Sequence, residues 1–314
     1  MRDGSTAIFL LSFVLFASSC SRGSKEKFPS VQKYSTGAGD VFYFRPRDNQ
    51  FVLVERRKAI AVAIAPEPSI EAFSFDDRIT VSRPMPQGDA LENKVFLENV
   101  GAKNALAITA DGNTLAGGDA SGVVNLWSLL DGGLQFQVNK QSAIQSLAFS
   151  PDGDFLAIGL AKPVNDPPET LWLYETHTNG PHRSFGHNTV QGLAWSRDSR
   201  WYAAGLDDGS VLLGEAHSDT EPRRITVSNS PIVSLSFHPS GLYLASAHAD
   251  KRVLISKIPT GEPVFTFEPP LPPNPFFPRV IEQVTFDGTG TRIAVGYAEG
   301  DMRIWDTSAL SVPK

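Results

Sequence analysis

The sequence predicts an all-β fold built from a four-stranded antiparallel unit repeated along the chain. Five segments share one pattern of apolar strands separated by Gly/Asp/Ser turns: residues 105–127, 146–161 (continued at 169–175), 192–215, 234–257 and 283–306. The matching first-turn positions, Gly112, Gly153, Ser199, Gly241 and Gly290, are spaced by 41, 46, 42 and 49 residues. Each interval also holds a fourth apolar stretch, at 134–138, 182–185, 223–227 and 263–267.

Composition bounds the function classes. Of 314 residues, 41% are hydrophobic and 20% charged, which suits a folded soluble chain rather than a disordered one or a multi-span membrane protein. The net charge of −6 argues against nucleic acid as a partner, since polyanion binding draws on clustered Lys and Arg. A single cysteine leaves no disulfide framework and no Cys-based zinc site.

The N-terminus comes before the repeats. Residues 7–16 (AIFLLSFVLF) form an apolar run that as a helix is about 15 Å long, half of a bilayer core of about 30 Å. That length fits a signal-peptide core rather than a membrane span. Ala17-Ser18-Ser19-Cys20 follows, and the stretch resembles the lipobox of bacterial lipoproteins, with Ala17 departing from the usual Leu. The resemblance implies a signal peptide over 1–19 and lipid attachment at Cys20. It further implies a cell-envelope location, the outer membrane being favoured by Ser21 in a Gram-negative host, and otherwise a secreted or periplasmic protein. Residues 20–40, polar and rich in Gly, Ser and Lys, read as a tether. The folded body is expected over 41–308, with a short tail at 309–314.

Four short strands every forty-odd residues are the sequence signature of a β-propeller blade. The segments resemble WD repeats, from about Gln50 to Thr307 and most strongly from Ala105. Trp305-Asp306 is an intact WD dipeptide, and Trp127-Ser128 and Tyr174-Glu175 are near matches. Gly186-His187 matches the Gly-His signature, and Asp208 and Asp250 stand at the tight turn before the third strand. The resemblance assigns Trp127, His187, Asp208, Asp250, Trp305 and Asp306 to the hydrogen-bonded signature of a blade. No repeat holds the complete set; the one with His187 and Asp208 has Gly214 in the Trp position.

A fainter blade precedes these. Residues 51–55, 59–65 and 69–75 supply its first three strands and 94–100 its fourth, around an insertion at 76–93. The last repeat lacks a fourth strand, and 41–45 (VFYFR) is left over, so the two termini are expected to close the ring together. This count is about six blades; seven is the commoner number in the family, and the stretch before Ala105 has room for another. A closed ring of this kind is expected to be monomeric.

Most glycines fall in turns; Ser150-Pro151-Asp152-Gly153 and His238-Pro239-Ser240-Gly241 carry type I chemistry. Prolines concentrate in two insertions, KPVNDPPE (162–169) and EPPLPPNPFFPR (268–279). One lies between second and third strands, the other between a fourth strand and the next first strand. In an up-and-down blade both links emerge on one face. Pro163, Asn165, Asp166, Leu271, Phe276 and Phe277 are therefore candidate partner contacts, stiff loops losing little entropy on binding and aromatics making good anchors. For Phe276 and Phe277 the alternative is a cap over the central channel.

Catalytic patterns are lacking. The six histidines show no HExxH spacing, and there is no GxSxG, P-loop or GxGxxG after a strand. No metal or cofactor is implied. Asp207-Asp208 is the most visible acidic pair and reads as a turn. The sequence therefore points to a non-enzymatic, membrane-anchored scaffold presenting one propeller face to an unidentified protein partner. The alternative is a propeller enzyme or small-ligand binder using the mouth of the channel.

Overall fold

The computed structural model describes residues 32–35, 40–45, 50–56, 61–65, 70–84, 91–98, 100–162, 169–178, 180–186, 188–268, 280–297 and 302–310. Apart from one 3-10 turn (Ser308–Leu310), all regular structure in these residues is β. The strands form seven antiparallel sheets, each from consecutive segments.

The first sheet has three strands, β1 (Gln32–Ser35), β2 (Asp40–Arg45) and β3 (Gln50–Arg56). The second has four, β4 (Ala61–Ala65), β5 (Ile70–Ser74), β6 (Arg78–Pro84) and β7 (Leu91–Glu98). The third comprises β8 (Ala105–Ile108), β9 (Thr114–Gly118), β10 (Val123–Ser128) and β11 (Leu134–Asn139). The fourth comprises β12 (Ile144–Phe149), β13 (Phe155–Leu160), β14 (Leu171–Glu175) and β15 (Gly180–Phe185). The fifth comprises β16 (Val190–Trp195), β17 (Trp201–Leu206), β18 (Ser210–Glu215) and β19 (Arg223–Thr226). The sixth comprises β20 (Ile232–Phe237), β21 (Tyr243–His248), β22 (Val253–Lys257) and β23 (Pro263–Phe267). The seventh has three strands, β24 (Ile281–Phe286), β25 (Arg292–Tyr297) and β26 (Met302–Asp306).

Two expectations for the N-terminal third are corrected. Residues 41–45 do not pair with the last sheet: β2 lies between β1 and β3, and among the described residues β26 has a neighbour on one side only. The first four-stranded sheet also begins later than expected. Residues 51–55 belong to β3, while 79–83, expected within an insertion, lie in the third strand β6. The reason is local. Asp76-Asp77 provides a short turn, closed by the Phe75 N–H donating to Arg78 O at 2.8 Å, so β5 hairpins straight into β6.

Turn chemistry follows the sequence closely from Ala105 onward. Gly112, Gly153, Gly241 and Gly290 adopt positive φ of 71° to 82°, and Ser199 does so at 59°. Serine tolerates the left-handed conformation poorly. Its hydroxyl has a compensating role: Ser199 Oγ accepts the Asp152 N–H at 2.9 Å, tying the turn to the neighbouring sheet.

Burial grades across the third to sixth sheets. All six residues of β13 are buried, whereas β19 exposes three of four and β23 four of five. First strands of successive sheets touch in the order β4, β8, β12, β16, β20, β24, so the core lies along this series and between the sheets. Burying each Ile or Leu there contributes about 1.5–3 kcal/mol. The contact is repeated in kind. A Cβ on Gly118 would lie 2.4 Å from Ile144 Cγ2 of the next sheet, one on Gly159 2.6 Å from Val190 Cγ1, and one on Gly205 2.5 Å from Ile232 Cγ2.

Candidate partner-binding face

Alternating strand direction places the second-to-third turns and the fourth-to-first linkers at one end of the sheets. Hydrogen bonds show that they meet there. The Lys162 N–H, at the stem of the first proline insertion, donates to Thr189 Oγ1 of the next linker at 3.0 Å. The Asp250 N–H donates to Ser230 Oγ at 3.0 Å. Asn188 Nδ2 donates to Asp207 Oδ1 at 3.1 Å, and Arg224 donates to Asn188 Oδ1 at 3.3 Å while pairing with Asp208.

This end carries charge of both signs. Asp208 accepts the Ser210 N–H at 3.0 Å, and Asp250 accepts Arg252 Nε at 2.9 Å. Burial disfavours ionisation of Asp250, but bonds from Arg252 outweigh it and hold the carboxyl below its ordinary value. The exposed pairs contribute little stability, about 0–1 kcal/mol each, and are available as surface features.

One pair is different. Lys103 Nζ lies 2.9 Å from Asp119 Oδ2, with the lysine side chain 3% exposed. Burial of Asp119 opposes its charge, yet bonds from Ser121, Lys103 and the Val123 N–H keep its carboxyl below the usual range. The sequence reading missed this pair. Its signal was present in the repeats: Lys103 stands where Ile144 and Val190 stand, and Asp119 where Leu160 and Leu206 stand.

The expected signature residues are distributed one sheet at a time rather than gathered. Trp127 is buried on β10 with Ile79, Leu106 and Leu115. Asp208 and Asp250 occupy the β17–β18 and β21–β22 turns. Trp305 on β26 is half-buried, its ring 5.7 Å from that of Phe267, and the exposed Asp306 accepts the Ser308 N–H at 2.8 Å. In the sixth sheet a buried histidine takes part in a network the sequence did not single out: Ser246 Oγ is 2.9 Å from His248 Nε2, and His248 Nδ1 is 3.1 Å from Ser230 O. Cys20, Pro163, Asn165, Asp166, His187, Leu271, Phe276 and Phe277 lie outside the described residues. The described stems, Lys162 and Glu169 for one insertion and Glu268 and Val280 for the other, fall at the end just described.

The opposite end holds a cleft of about 640 Å³ between the third and fourth sheets, walled by Asp111, Asp152 and His177. Its carboxylates are engaged within their own turns: Asp111 accepts Thr109 Oγ1 at 2.6 Å, and Asp152 accepts the Asp154 N–H at 3.1 Å. Among the described residues no three His, Cys, Asp or Glu side chains are placed to hold a metal ion.

The sheets are consistent with the class of WD-repeat propellers, and part of the chain carries that family's repeat. Residues 179–213 and 221–255, running from β15 into β18 and from β19 into β22, match the family model "WD domain, G-beta repeat", and the seven sheets are consistent with a WD40 propeller. Among known proteins, the chain is 29% identical over 194 residues to "Protein HIR1" of Chaetomium globosum, covering 53% of this chain and 17% of that protein. It is 24% identical over 184 residues to "Protein HIR1" of Aspergillus oryzae, covering 50% and 17%. It is 26% identical over 185 residues to "Target of rapamycin complex subunit wat1" of Schizosaccharomyces pombe, covering 58% and 55%. The match thus spans about a sixth of the HIR1 relatives and about half of the wat1 relative. These relatives are fungal, which overturns the bacterial cell-envelope location expected from residues 7–20. WD40 repeat proteins typically act as non-enzymatic scaffolds, in keeping with the interaction role expected from the sequence.

Proposed function

We propose that the chain is a protein-interaction scaffold whose partner surface is the end formed by the second-to-third turns and the fourth-to-first linkers. The observation that carries this reading is that the stems of both proline insertions, at Lys162/Glu169 and Glu268/Val280, fall at that one end. Mixed charge at Asp208, Arg224, Asp250 and Arg252 suits a polar interface rim around apolar anchors. Pro163, Asn165, Asp166, Leu271, Phe276 and Phe277 supply the contacts, the two phenylalanines acting as anchors. Similarity to a subunit of a named complex supports assembly into a larger complex.

Site-specific photo-crosslinking tests the proposal. A crosslinker at Lys162 should capture a defined partner that one at Asp111, on the opposite end, does not. Capture should be lost in Phe276→Ala/Phe277→Ala with the melting temperature unchanged. Equal capture from both ends would refute the assignment of the face.

A further inference from the structure

Between the third and fourth sheets, close to the first insertion, a cation is held against aromatic rings. Lys140 leaves the end of β11, where its N–H donates to Gly122 O at 2.9 Å, and reaches across to β14. Its Nζ lies 3.0 Å from the centroid of the Trp172 ring and 4.8 Å from that of Tyr174. The rings are fixed from behind. Trp172 Nε1 donates to Glu169 O at 2.8 Å, the Trp172 and Tyr174 centroids are 6.4 Å apart, and Phe136 stands 5.9 Å from Tyr174. Trp172, Phe136 and Lys140 all keep part of their surface in solvent.

We propose that Trp172 and Tyr174, with Phe136 beside them, form a binding site for a methylated ammonium side chain of a partner protein, occupied in the free chain by Lys140. The faces of aromatic rings attract cations, and they do so most strongly when the cation sheds its water readily. A primary ammonium is strongly hydrated and suits this apolar place poorly. Burial pushes the Lys140 pKa down to about 8, against the opposing charge of Glu169. A methylated ammonium keeps the charge and carries less bound water, so it is the better-matched occupant. The existence of this site does not depend on the partner-binding face. The identity of its natural ligand does rest on that reading, because the site opens beside the same insertion.

The test uses the full chain and two peptides, one with trimethyllysine and one with its uncharged carbon isostere, titrated calorimetrically. Lys140→Met, which keeps the stem and removes the charge, should bind the trimethyllysine peptide about tenfold more tightly than the wild type does. It should also prefer that peptide to the isostere by about tenfold, and Trp172→Leu in the same background should abolish the preference. Lys140→Gln serves if the methionine variant is misfolded. Equal binding of the two peptides by a folded variant would overturn the proposal, as would wild-type affinity equal to that of the variant. Failure of the Lys162 crosslink with this preference intact would count against the face and leave the site standing.

Discussion

Lys103 and Asp119 form a buried ion pair, 2.9 Å between Nζ and Oδ2, at the two positions that Ile144 and Leu160 occupy as cross-strand neighbours one repeat later. A polar pair has replaced an apolar one as a unit. Removing one member leaves the other uncompensated in a nearly dry site, which is far more costly than replacing both.

Single and double substitutions should therefore diverge. Asp119→Leu alone is expected to destabilise by about 3–5 kcal/mol, since it strands the Lys103 ammonium. Lys103→Ile with Asp119→Leu should recover a large part of that loss, because it restores the pairing used by the fourth sheet, while the bonds from the Ser121 and Val123 N–H groups stay lost. Urea denaturation of the three variants measures both effects, and a double variant no better than Asp119→Leu would contradict the account.

The glycine notches between sheets make a second prediction. Gly205→Ala would place a methyl 2.5 Å from Ile232 Cγ2 and 3.0 Å from its Cβ, and should cost about 1–3 kcal/mol. Adding Ile232→Ala should make the pair of changes less damaging than the sum of the two, as expected for residues sharing one volume. Strict additivity in denaturation midpoints would mean that the backbone moves to absorb the methyl.

The two tryptophans of the signature should behave differently. Trp127 is 4% exposed in an apolar cluster that includes Ile79, Leu106 and Leu115, and Trp127→Ala is expected to cost about 3–5 kcal/mol. Trp305 is only half-buried, on a strand with one described neighbour, so Trp305→Ala should cost clearly less. Equal shifts in thermal denaturation would rule out this ordering.

Stability should fall on acidification below neutrality. Burial lowers the pKa of both His238 and His248 from the ordinary value of 6.5. Each ring is fully used as the neutral form. In His238, Nδ1 accepts the Ser240 N–H at 3.1 Å and Nε2 donates to Gly290 O at 3.1 Å. In His248, Nδ1 donates to Ser230 O and Nε2 accepts Ser246 Oγ. The unfolded chain thus binds protons first. The stabilisation is complete above 6.5, is lost as the pH falls from 6.5 towards the lower folded values, and levels off below them. Melting temperatures between pH 8 and pH 5 should show this loss, and His248→Gln should flatten part of it.

The repeat was legible in the sequence because turns and strand alternation are local. Gly112, Gly153, Gly241 and Gly290 read as turn glycines, and all four adopt positive φ. Asp208 and Asp250 were placed in their turns for the same reason. Before Ala105 the apolar stretches have similar lengths and weak turns, so several pairings fit equally well on paper. There the choice of β5 to join β6 rested on the two-residue turn at Asp76-Asp77.

By itself the sequence determined the all-β class, the repeat and its turns, since each depends on residues a few positions apart. Only the tertiary structure decided which strands share a sheet near the N-terminus, that Lys103 meets Asp119, and that Lys140 comes to rest on Trp172. The first two depend on which strands pair and in what register, the last on how one sheet lies against the next. Side chains 16 residues apart become neighbours only once two strands have paired in register, and those 32 residues apart only once the burial of apolar strands has set two sheets side by side.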